Sequence, residues 1–89
     1  MGGGYNFKIA YIKVGEWDCN TSGTSGSVNI TDYIPDIDNI CSVFVSPNWH
    51  VAATTVSLYD RVKFRYTVTN PSGPGFSATK DITALIIYF

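Results

Sequence analysis

Polar and apolar side chains alternate without a break from Arg61 to Thr69, which places Val62, Phe64, Tyr66 and Val68 on one face and Arg61, Lys63, Arg65, Thr67 and Thr69 on the other. Successive side chains of a strand point to opposite sides, so the stretch predicts a half-buried β-strand. Burying its four apolar side chains contributes roughly 6–12 kcal/mol gross, against which chain entropy must be set. The rest of the chain has to supply a sheet for it.

Further strands follow from the same period. Residues 5–14 alternate Tyr5, Phe7, Ile9 and Tyr11 against Asn6, Lys8, Ala10 and Ile12, with Ile12 and Val14 leaving the second face apolar near its end. Ser27–Thr31 reads as a short strand with Val28 and Ile30 inward. Ile40–Ser46 reads as another, Cys41, Val43 and Val45 facing one way and Phe44 the other, and an extended segment is expected near 54–58. Between them, Cys19–Ser27 reads as an exposed loop, and Tyr33–Asn39, with Pro35, as an irregular crossing. Asn70–Gly75 holds two prolines and two glycines, the strongest turn signal of the chain. The last strand, Ile82–Phe89, is apolar on both faces: Ile82, Ala84, Ile86 and Tyr88 on one, Leu85, Ile87 and Phe89 on the other. An uncovered outer face of that kind invites association, so Leu85, Ile87 and Phe89 are the candidate subunit interface. Six to seven short strands without a convincing helix predict an all-β fold, an antiparallel β-sandwich.

With 89 residues there is room for one two-layer domain, with residues 1–4 as a flexible leader. The charged fraction is 15%, below the roughly 25% usual for globular domains, so hydroxyls, amides and subunit contacts must cover much of the surface. A net charge of −1 offers no field for nucleic acid, and no apolar run is long enough to cross a membrane as a helix. The partners expected are therefore neither nucleic acid nor membrane. Cys19 and Cys41 are read as two thiols, one of them a small core residue; a bridge requires the strand carrying Cys41 to pass the loop carrying Cys19.

Catalytic and cofactor chemistry lacks parts. There is no Gly-x-Ser-x-Gly elbow, no His-Glu-x-x-His and no phosphate loop, and His50 is the single histidine. Asp36-Ile37-Asp38 lacks the glycine turn and terminal glutamate of a calcium loop. A non-enzymatic protein without a cofactor is expected. Trp17 and Trp49 lie in or beside predicted loops, followed by Asp18 and His50, an aromatic face next to a polar group that suits a glycan or a partner. The alternative is that both indoles cap the ends of the core. Arg61, Lys63 and Arg65 form a basic row that suits phosphates, acidic sugars or an acidic partner, or else a solvated face that discourages edge pairing.

The order of Pro35, the strand Val43–Ser46, the strand Asp60–Asn70, the Gly75-Phe76-Ser77-Ala78 segment and a final strand ending in aromatic residues resembles that of H-type-lectin-like domains. Such domains occur in invertebrate agglutinins and in bacteriophage tail-fibre and other virion surface proteins. The Gly23–Val28 segment is also similar to small phage structural proteins. The resemblance implies an antiparallel sandwich, often trimeric, that binds a sugar or docks on a virion. Tyr88-Phe89 stands where the family usually carries a tryptophan. The expectation is a virion-located structural protein, a decoration, collar or fibre component, partnered by its own copies and other virion proteins. The alternative is a carbohydrate-binding module for a host-surface glycan.

Overall fold

The computed structural model describes residues 6–48, 52–71 and 77–89. The chain forms strands β1 (Lys8–Asp18), β2 (Gly23–Asn29), β3 (Ile40–Ser46), β4 (Ala53–Asp60), β5 (Lys63–Thr69) and β6 (Thr79–Tyr88), with a 3-10 turn at Ile30–Asp32. They make two three-stranded antiparallel sheets, ordered β1-β6-β3 and β2-β5-β4. The fold is thus an all-β sandwich with the core between the sheets.

The opening pattern of the chain sits at its centre. β5 is the middle strand of the second sheet, and Val62, Phe64, Tyr66 and Val68 are all buried. Against them pack Ile82, Ala84 and Ile86 from β6, the middle strand of the first sheet, with Trp17, Val28 and Ile30 closing the ends. A middle strand has hydrogen-bonding neighbours on both sides, which suits these two most apolar stretches.

Several boundaries differ from those the pattern predicts. β1 runs on to Asp18 because a register shift between Lys13 and Gly15 lets the strand absorb an extra residue and continue pairing with β6. Through this register Ala10, Ile12 and Trp17 share the inner face, while Ile9 and Tyr11 point outward. The stretch expected as a loop, Cys19–Ser27, pairs with β5 from Gly23 onward and forms an edge strand of that sheet. Arg61 and Val62 form the corner before β5 rather than its start. A register shift between Ile40 and Ser42 turns Cys41 outward, away from Val43 and Val45, so Cys41 is exposed. Cys19 is buried, and both cysteines are free.

The Arg61-Val62 corner fixes the crossing segment. The amide of Ile40 donates to the Arg61 carbonyl at 2.7 Å, and that of Ile30 donates to the Val62 carbonyl at 2.8 Å. Asp38 donates to the Phe89 carbonyl at 2.9 Å and Phe89 to that of Asn39 at 3.0 Å, tying the same segment to the end of β6. The leader at 1–4 and most of the Asn70–Gly75 turn lie outside the described residues.

Candidate functional site

The expected site residues separate into three groups. Trp17 is 0% exposed, so it offers no ring face to a sugar in solution and belongs to the core. This corrects its assignment as a glycan contact: the extension of β1 carries the indole inward. Its Nε1 finds no hydrogen-bond acceptor among the described residues. Asp18 shapes the turn that follows, its Oδ1 accepting from the Asn20 amide at 2.9 Å and its carbonyl from the Thr21 amide at 3.0 Å and hydroxyl at 2.6 Å. Trp49 and His50 lie outside the described residues.

The basic row is partitioned among local partners. The Arg61 guanidinium donates to the Asp38 carbonyl and stands 3.9 Å from the Asp38 carboxylate. Lys63 lies 4.0 Å from the Asp60 carboxylate. Arg65 sits over the Tyr59 ring, 4.9 Å from its centroid, and its Nε donates to the Ser27 hydroxyl at 3.4 Å. A register shift between Leu58 and Asp60 brings Tyr59 and Asp60 alongside these cations. Each charge is therefore matched on the surface where it stands, and the row does not converge on a ligand position with Asp18 or Trp17.

Beside it, residues Ser22–Ser25 and Thr67–Asn70 line an open groove of about 380 Å³ at the β2–β5 edge. Its lining mixes the hydroxyls of Ser and Thr and the Asn70 amide with apolar surface. No three His, Cys, Asp or Glu side chains gather as a metal site among the described residues.

The first sheet presents a different surface. On its outer face the register aligns Ile9 with Ile87 and Ser42, and Tyr11 with Leu85 and Phe44. Phe7 and Phe89 continue the face at one end, their ring centroids 5.1 Å apart. Phe7, Ile9, Tyr11 and Phe44 are exposed by 53%, 69%, 67% and 58%, while Leu85, Ile87 and Phe89 are half-buried between them. The expected interface residues thus form the floor of a wider apolar patch. Its rim was missed because period two groups Phe7, Ile9 and Tyr11 on one face of β1 and sets Phe44 apart from Val43 and Val45 without showing which face turns outward or that both strands flank β6. The signal available was the aromatic parity of Phe7, Ile9 and Tyr11 itself.

At the far end of the same face the chemistry changes sign. Lys13 Nζ contacts Glu16 at 2.6 Å and Asp81 at 3.3 Å, which raises its pKa above the ordinary 10.5, the Glu16 hydrogen bond first and the Asp81 one second. Tyr11 Oη meets the Thr83 hydroxyl at 2.9 Å on the boundary between the apolar and charged ends.

No family model, curated protein or solved structure matches the chain.

Proposed function

We propose that the chain is a non-enzymatic structural protein of a virion surface, of bacteriophage type, that assembles through its β-surfaces as a decoration, collar or fibre component. The observation that carries the assembly reading is the apolar outer face of the β1-β6-β3 sheet. Contiguous exposed apolar patches of this kind mark protein contacts, and the patch is aromatic-rich with charge confined to one end. The low charged fraction of the chain, 15%, supports the same reading. The viral assignment rests on the resemblance of the order of sequence features to that of virion surface domains, and its partners are copies of the chain and neighbouring virion proteins.

The test is fractionation from the native source by density gradient, following the chain with an antibody. Co-sedimentation with particles is expected, reduced strongly by Phe44→Lys, which changes an exposed side chain. A wild-type chain that stays entirely at the top of the gradient as a free small protein overturns the reading.

A further inference from the structure

We infer that the occupant of the apolar face is a second copy of this chain, packed sheet on sheet with its β6 antiparallel to the first about a two-fold axis through Ile87. The inference rests on the assembly reading and names the partner of that surface.

Area gives the first argument. Phe7, Ile9, Tyr11 and Phe44 leave over half of each side chain in solvent. At about 200 Å² for a side chain of this size, the four expose on the order of 500 Å². A self-complementary pair removes that area twice, roughly 1,000 Å², where specific protein interfaces begin.

Charge gives the second argument and fixes the direction. The far end of the face holds Glu16, Asp18 and Asp81 against Lys13, a net negative cluster. If the two β6 strands ran parallel across the interface, each cluster would oppose its own copy, and like charges directly opposed are unfavourable. Antiparallel strands overlap the apolar ends alone. Ile87 and Asp81 are six residues apart, about 20 Å of strand, so the clusters separate to roughly 40 Å, several Debye lengths at physiological salt. Aromatic side chains then meet aromatic side chains, and the Lys13-Glu16-Asp81 group stays hydrated at both outer ends.

Sheets packed face to face stand about 10 Å apart, beyond the reach of a disulfide, so a short bis-maleimide is the probe. In a Cys41→Ser background, Ile87→Cys on the axis is expected to cross-link to its own copy in high yield, and Thr79→Cys at the acidic end is not. Sedimentation of the wild-type chain is expected to show a dimer at micromolar concentration. Ile9→Lys with Phe44→Lys, both exposed in the single chain, is expected to give a monomer with an unchanged circular dichroism spectrum. Equal cross-linking at Ile87→Cys and Thr79→Cys overturns the antiparallel arrangement. A wild-type chain that stays monomeric overturns the self-pairing, and if Phe44→Lys nevertheless abolishes co-sedimentation with particles, the face belongs to a different protein and the assembly reading stands without it. A dimer that survives both lysine substitutions places the contact elsewhere and also overturns the inference.

Discussion

The Tyr66 ring fills the space that a side chain at Gly26 would need. A Cβ on Gly26 would stand 2.7 Å from the phenol oxygen, 2.8 Å from Cζ and 3.0 Å from Cε1. The two residues are register partners on β5 and β2. The phenol then reaches across the sandwich to Gly15 of β1, where an added Cβ would collide with the same oxygen and meet Cζ at an ordinary 3.6 Å. Two glycines in different sheets thus clear the path of one side chain.

That difference separates the two sites. Gly15→Ala conflicts with the phenol oxygen alone, so it is expected to destabilise by about 1–3 kcal/mol, as overpacking does, and to be largely rescued by Tyr66→Phe. Gly26→Ala conflicts with ring carbons as well, and Tyr66→Phe is expected to leave most of its cost in place. Urea denaturation of the three single variants, the two double variants and wild type, analysed as double-mutant cycles, checks both outcomes.

Alkaline stability follows from the same ring. Burial first, and the nearby Tyr33 second, hold the Tyr66 hydroxyl above its ordinary 10.0, and Lys13 is held above 10.5 by Glu16 and Asp81. In both cases the native state keeps a proton that the unfolded chain has released, so stability is complete below about pH 10 and is lost as pH rises through the raised folded values. The urea midpoint is expected to be flat below about pH 10 and to fall beyond it. Tyr66→Phe should make that fall shallower, and added salt should weaken the part due to the exposed Lys13 group. A midpoint that rises above pH 10 contradicts the assignment.

The legible part of the fold was the part carried by unbroken alternation. Val62, Phe64, Tyr66 and Val68, and Ile82, Ala84 and Ile86, became the middle of each sheet because a middle strand needs nothing beyond period two to be placed. Where β1 and β3 shift register, parity before and after the shift belongs to different faces, so Cys41 was grouped with Val43 and Val45, and Trp17 was left open between a surface contact and a cap on the core. Gly23–Ser27 carries no apolar signal at all, and its pairing with β5 is imposed from outside by the neighbouring strand. The candidate surface divides the same way: Leu85 and Ile87 were readable on β6, whereas their neighbours Ile9, Tyr11 and Phe44 became neighbours only through the register.

Trp17 combines full burial with an indole nitrogen that has no acceptor among the described residues. An unsatisfied buried donor costs about 1–3 kcal/mol, while truncating a buried aromatic to alanine costs about 3–5 kcal/mol. Trp17→Ala is therefore expected to be severely destabilising, and Trp17→Phe to cost under about 2 kcal/mol because it removes the orphaned donor along with part of the ring. Denaturation midpoints decide it, and equal losses in the two variants would show that the nitrogen is satisfied in solution.

The cations on and before β5 invite a different measurement, because their surface partners predict near silence. Arg61 faces Asp38 and Lys63 faces Asp60 in groups that are all well exposed, where ion pairs contribute about 0–1 kcal/mol. Arg61→Gln with Lys63→Gln is expected to change unfolding stability by less than about 1 kcal/mol. The backbone carbonyls of Arg61 and Val62, which hold the Ile40 and Ile30 amides, are untouched by either change. Arg65 differs in kind. Stacked on Tyr59, it keeps its charge while covering apolar ring surface, so Arg65→Lys should lose the planar stacking that Arg65→Gln also loses. If the row were an anion site, Arg65→Lys would preserve heparin retention and the two glutamine substitutions would abolish it. With each cation matched locally, wild type and all variants are expected to elute together at physiological salt.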